Sequence, residues 1–443
     1  MQNHRFLFFI SIITIAVYFS ACVSIPNRYE GLAPGPWRGL LFINQHKELI
    51  VTEGRKKDVK RDVDFEEKSN FVAFNFEIGN APDGKQIMTV INGAERMVFD
   101  EISLGRDIRT GDDTFYIKLS PYDACLKGIF EGDKMKGHWI VLDKSNYSME
   151  FEAKYGQSHR YKKTNPAKVD ATIFGHYQAK FGVDTEKPYD AIGEFEQTGD
   201  KLTGTFRTES GDFRFLEGQV VENELWLSTF DGSHAFLFHA TITGDSLDGM
   251  FYSGIHYKTQ WKAVKVKEGK LKHADSLSTA VSSEPFYFGF ETPDGQIIDF
   301  RDEKFKNKLK LVQIMGSWCP NCLDEAVFLN EYFHNNPNDK VVVLGLSFER
   351  HPEKQKAMQR ILDFKTKLKL AYDIALGGKA NRDSASKVIP QISQLMAFPT
   401  LLFVDHHHKI VKVHTGFDGP ATSKYQEYIR DFETNIRKFT EHE

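Results

Sequence analysis

Cysteine is scarce in this chain: only four occur among 443 residues. They stand at positions 22, 125, 319 and 322. So few thiols exclude the disulfide framework that staples small exported domains. With one close pair and no second, most zinc-binding arrangements are excluded as well. Excess charge of one sign is also lacking. With 57 Lys and Arg against 61 Asp and Glu, the formal net charge is −4. That balance argues against a nucleic-acid or polybasic membrane-surface protein. Beyond the N-terminus there is no long apolar run, so no second hydrophobic span is expected. Helical periodicity of good length is missing from about Trp37 to Lys265.

What is present describes a chain too long for one core, so two or three domains are expected. Hydrophobic residues make up 41% and charged residues 27%, both ordinary for globular proteins. The 37 Phe suggest aromatic-rich strands. The N-terminus has a short basic start, His4 and Arg5, then an apolar stretch over 6–19 that is short for a bilayer. Ser20-Ala21-Cys22 follows, with small residues before a cysteine. This resembles a bacterial lipoprotein signal, with Phe19 where Leu is more usual. The resemblance implies that 1–22 is a signal segment and that Cys22 is lipidated as the first mature residue. An uncleaved single-span anchor is the alternative. Either reading places the bulk of the chain on the periplasmic side of the cell envelope, held to a membrane.

Residues 23–34 read as a polar tether. From 35 onward, apolar and polar residues alternate, as in Phe74, Phe76 and Ile78 and again in Phe236, Phe238 and Ala240. This period of two, broken by Gly, Asp and Asn, predicts antiparallel sheet. A short pattern recurs. Gly132-Asp133-Lys134-Met135-Lys136-Gly137, Gly199-Asp200-Lys201-Leu202-Thr203-Gly204 and Gly244-Asp245-Ser246-Leu247-Asp248-Gly249 each read as a hairpin turn and strand. The closing Gly of each allows a close backbone approach. Two β-meander, barrel-like units are expected, 35–160 and 170–265, with a single large curled sheet as the alternative. Residues 266–284, rich in Lys, Ser and Thr, read as a linker.

The stretch Trp318-Cys319-Pro320-Asn321-Cys322 carries the chemistry. It follows the apolar run 311–315 and precedes a helical pattern over 323–333. Two cysteines three apart at a strand-to-helix junction are a redox signature. On a helix those positions share a face, so the sulfurs can meet. The first sits where unpaired N–H groups and the helix dipole favour an anion. Pro320 suits the first turn. The segment 285–443 continues with an apolar strand over 341–348, a helix to about 370, strands at 400–404 and 410–413, and a final helix with a clean 3.6 period. The expected order after the first strand is β-α-β-α-β-β-α, so the chain reads as a β-rich antiparallel half followed by an α/β thioredoxin-like domain.

The matching residues are Gly316 to Cys322, Glu325 three after the second cysteine, and Phe398-Pro399-Thr400 before a strand ending in Asp405. On these, 285–443 resembles the TlpA-like thioredoxin-fold proteins. With its β-rich front and the phrase Phe230-Asp231-Gly232-Ser233-His234-Ala235-Phe236, the whole chain resembles redoxin lipoproteins of Bacteroidetes-type bacteria. The resemblance implies a cell-envelope thiol–disulfide oxidoreductase. Cys319 would be the nucleophile and Cys322 the resolving thiol, the two forming the redox-active disulfide. Pro399 would be cis, and Trp318 and Phe398 would meet the substrate. Glu325 would tune thiol ionisation, with a solvated helix carboxylate as the alternative. Gln313 replaces the buried acid of thioredoxin. Asn321 lacks the charge that a His between the cysteines supplies in DsbA-like oxidants, which favours a reductase or isomerase. Protein thiol or disulfide clients and a membrane electron donor that re-reduces the pair are implied, with no cofactor, metal or nucleic acid.

Other signals carry less. His406-His407-His408 falls in a predicted hairpin turn, where side chains diverge. Cys125 reads as a small buried hydrophobe, with a resolving thiol as the alternative. A peroxiredoxin-like antioxidant enzyme is the runner-up activity, though that chemistry wants a hydroxyl residue where Gly316 stands. Asp231, Ser233 and His234 are expected on one strand, with 231 and 233 on one face and 234 on the other, and no hydrolytic triad is drawn from them. The β half reads as a spacing or client-docking module, and a protein acting mainly through that half is the alternative function.

Overall fold

The computed structural model describes residues 31–43, 70–162 and 171–441. The signal segment, Cys22 and most of the tether lie outside the described residues. Among those described, no helix is long and apolar enough to cross a membrane.

Two nine-stranded antiparallel sheets account for the β-rich half. The first runs through Gly35–Phe42, which pairs with both Phe71–Asn80 and Ser148–Tyr155. It stays open between Glu95–Phe99 and Glu101–Arg106. The second closes on itself, because Tyr189–Thr198 pairs with Gly175–Phe181 on one side and Lys201–Thr208 on the other. Closure leaves that ring no free edge for another chain to extend. The three Gly-Asp or Gly-containing repeats all open hairpins, with Gly132, Gly199 and Gly244 at φ of 56°, 64° and 59°. The closing glycines serve close approach: a Cβ on Gly137 would stand 2.0 Å from the Lys127 carbonyl oxygen, and one on Gly249 2.0 Å from that of His239.

Aromatic rings fill both interiors. Trp37, Phe74, Phe76, Trp139 and Phe151 are fully buried in the first sheet, and Phe181, Phe206 and Trp261 in the second. The two sheets share a core. Phe230, from the second, lies 4.5 Å from the Phe74 ring and 5.4 Å from Trp139. Arg160 crosses the same seam, donating to the Ala73 and Ile91 carbonyls of the first sheet and to Ser228 of the second.

The third unit has a five-stranded sheet in the order Asp373–Lys379, Val341–Glu349, Leu309–Met315, Thr400–Val404, Ile410–Thr415. The first two pairings are parallel and the last two antiparallel. Strand Asp373–Lys379 and the helix Arg382–Val388 are additions to the order expected from sequence. Gly377 and Gly378 interrupt that strand's alternation, and its pairing slips at Ser347/Phe348. An edge strand of that kind leaves no period to read. Residues 267–284 run along this unit: Asp275 pairs with Lys412 and His414, and Ala280 bridges to Ile392.

Candidate active site

The central strand Leu309–Met315, buried at every position, delivers the chain to Cys319, which caps the helix Pro320–Asn335. The Cys319 sulfur accepts from the Cys322 amide at 3.4 Å, and Pro320 fills the first helical position. Both thiols are free and buried, Cys319 at 7% exposure and Cys322 at 0%. The Cys319 thiol lies 3.5 Å from the Phe398 carbonyl, and the Phe398–Pro399 peptide is cis. Trp318 stands edge-on to Phe398 at 5.6 Å, and the Arg350 guanidinium lies 4.2 Å over its indole. Cys319, Cys322, Trp318, Phe398 and Pro399 are therefore brought together. Burial, with the Cys319 sulfur beside it, pushes the Cys322 thiol well above its ordinary value.

Glu325 is wholly buried, not a solvated helix carboxylate. Tyr428 donates its hydroxyl to Oε1 at 3.2 Å, while Oε2 has no partner among the described residues. Burial pushes its carboxyl up to about 8, although the Gln313 amide and Tyr428 hydroxyl favour ionisation. Gln313 links this group to the cysteines. It donates to the Cys322 carbonyl at 3.0 Å and accepts from Tyr372 at 3.3 Å.

Other residues meet the site that the sequence did not place there. Glu349 ends the strand Val341–Glu349 and is buried. It accepts from the Ser317 amide at 3.0 Å and the Ser317 hydroxyl at 2.7 Å, which fixes the loop before the motif. An acid closing an apolar strand is the one hint of it. The rest come from the β half. Asp231, Ser233 and His234 occupy the turn between Glu224–Phe230 and Ala235–Thr243, not a strand with alternating faces. The turn forms because the Asp231 carboxylate accepts from the amides of Ser233 and His234. Burial opposes ionisation of Asp231, but His234 and Arg214 outweigh it and hold the carboxyl below its usual range. The turn joins all three units: the Gly232 carbonyl accepts from the Trp139 indole at 3.2 Å, and the Ser233 hydroxyl donates to the Trp318 carbonyl at 3.0 Å.

The short strand Gly211–Asp212 of the same ring, with the loop after it, meets the motif helix. Asn321, between the cysteines, donates to the Asp212 carbonyl at 3.1 Å. Arg214 pairs with Asp324 at 3.0 Å and also with Glu95 of the first sheet. Burial pushes the carboxyl of Asp212 up to about 6 and that of Asp324 up to about 7. The first sheet touches the third unit too, through Asp123 to His351 at 2.7 Å and Asp143 to Arg350 at 3.3 Å. Cys125 is buried in the strand Ala124–Glu131, and its burial raises the thiol further. Among the described residues no group of three His, Cys, Asp or Glu could hold a metal.

Residues 280–429 match the family model Redoxin. No curated protein matches the chain in sequence. Among solved structures, StoA from Bacillus subtilis is 21% identical, with 34% of this chain and 99% of that one covered at a TM-score of 0.26. A thiol-disulfide oxidoreductase from Bacteroides fragilis is 20% identical, covering 33% and 98% at 0.25. A thiol:disulfide interchange protein of the thioredoxin family from Chlorobium tepidum is 14% identical, covering 36% and 99% at 0.27.

Proposed function

We propose that this protein is a thiol–disulfide oxidoreductase of the bacterial cell envelope that reduces protein disulfides through Cys319 and Cys322. The observation that carries the reading is the Cys319 sulfur at the helix N-terminus, 3.4 Å from the Cys322 amide and 3.5 Å from the Phe398 carbonyl. An anion at that sulfur meets a donor already in place.

The reaction runs in two exchanges. The Cys319 thiolate attacks a client disulfide, so a Cys319–client S–S bond forms as the client's own breaks and one client thiolate leaves. Cys322 passes its proton to the Glu325 carboxylate and attacks the Cys319 sulfur. The intramolecular disulfide forms and the second client thiolate leaves. The client has gained two electrons, and a membrane donor returns two to the pair. Glu325 suits the proton step because its carboxyl, at about 8, changes state near neutral pH. Trp318 and Phe398 flank Cys319 and meet the client chain. A lipid on Cys22 would keep the reaction at the membrane.

Reduction of insulin disulfides by the reduced protein tests this, with Cys319→Ser as control. Turnover no faster than the variant's would overturn it. Cys322→Ser should trap clients as mixed disulfides, and their identification names the natural substrates.

A further inference from the structure

The β half supplies part of the redox centre itself. The structure assigns Asp212, in the short strand Gly211–Asp212, and Arg214, in the loop after it, as positioning residues that hold the Cys319–Cys322 segment through Asn321 and Asp324. The assignment rests on the dithiol reading above.

The geometry is that of a built joint, not a passing contact. The Asp212 carbonyl takes the side-chain amide of Asn321, the residue next to Cys322. The Asp212 carboxylate accepts from the Arg214 amide at 2.6 Å and from the Gly419 amide of the redox unit at 2.8 Å. Arg214 sends its guanidinium to Asp324 of the motif helix, Glu95 of the first sheet and the Tyr122 hydroxyl. One planar fork thus ties three units at one point, a task the geometry of arginine suits. There is no slack in the fit. Gly211 has φ +131°, and a Cβ there would stand 2.5 Å from the Asn321 amide nitrogen. A Cβ on Gly416 would lie 2.8 Å from the Ser210 carbonyl carbon. On the other side of Cys319, Ser233 holds the Trp318 carbonyl.

This joint acts on the chemistry through the first turn of the motif helix. Closing a disulfide draws two sulfurs to about 2.05 Å, and the turn that carries them must adjust. Asn321 lies within that turn. All the contacts above are made with both thiols free, and the role assigned to them is that they hold better around the dithiol than around a closed disulfide. A device that stabilises the reduced pair makes the disulfide a stronger oxidant. By reciprocity, oxidation loosens the joint by the same free energy.

The test is an equilibrium titration of the full chain against reduced and oxidised glutathione, reading the fraction of Cys319–Cys322 disulfide. Arg214→Ala and Asn321→Ala should each shift the equilibrium about tenfold toward the disulfide, a fall of about 30 mV for a two-electron couple. Arg214→Lys, which keeps a cation between Asp324 and Glu95, should fall between. Asn321→Ala deletes one hydrogen bond and no charge, so it is read if Arg214→Ala does not fold. Folded variants that titrate like the parent protein overturn the assignment. The titration needs no client: a protein that titrates with glutathione, shows these shifts and leaves insulin untouched would sink the proposed function and uphold the joint.

Discussion

The helix that follows the cysteines carries two adjacent acids, Asp324 and Glu325, that meet opposite neighbours. In front, Asp324 faces the β half and an Arg214 that also holds Glu95. Behind, Glu325 faces uncharged groups, Tyr428 and Gln313 among them. Burial raises both carboxyls, to about 7 and about 8. The difference lies in what stands opposite. A carboxyl beside a cation that also grips other elements is an anchor, because losing its charge strands the partner. A carboxyl among neutral donors can change state with its surroundings intact, which is what a proton carrier needs. One helical turn thus has a face tied to a cation and a face set among neutral donors.

Four substitutions set these faces against each other. The largest effect is expected at the rear. Glu325 has its folded pKa raised from 4.5 to about 8, so the folded protein holds a proton that the unfolded chain has released. That term makes stability fall as pH rises from about 4.5 and level off above 8. Glu325→Gln should therefore be neutral near pH 4 and stabilise by up to roughly 5 kcal/mol above pH 8. Urea melts across that range check it, and a flat difference would show that folded Glu325 holds no extra proton. Next comes Arg214→Ala, which leaves Asp324 and Glu95 buried without their cation. A loss of about 3–5 kcal/mol is expected at pH 8, shrinking as acid protonates Asp324. Thermal melts at pH 8 and pH 5 measure it. Tyr428→Phe removes the donor to Glu325 and should cost about 1–2 kcal/mol. It should also move the Glu325 step to higher pH, read from the pH dependence of Cys322 alkylation in the Cys319→Ser background. Smallest is Ser233→Ala, which loses the bond to the Trp318 carbonyl and about 1 kcal/mol, with no change in the pH profile.

Much of the site could be read along the chain, because its parts are local. Cys319, Pro320 and Cys322 share one helical turn, and Glu325 lies one turn on. Pro399 and Phe398 were legible only through a family resemblance, since nothing in their own spacing points to the sulfurs. The hairpins at Gly132, Gly199 and Gly244 were legible because a positive φ selects glycine. The turn at 231–234 was misread as strand, because Phe230 and Phe236 keep an alternating pattern across it. The strand Asp373–Lys379 was missed because its glycines break the pattern.

The sequence by itself determined the chemistry on offer: a dithiol at a helix start, a neutral Gln313 in the strand before it and an acid after it. It also determined a front half built of strands, since period and turn residues act over a few positions. Tertiary structure alone decided what those groups face. Asp212 and Asn321 are 109 residues apart, and Ser233 and Trp318 are 85 apart. No local period records such pairs. Asp324 and Glu325 look alike in the chain. Only the packing of one against Arg214 and the other against Tyr428 separates a carboxyl tied to a cation from one among neutral donors.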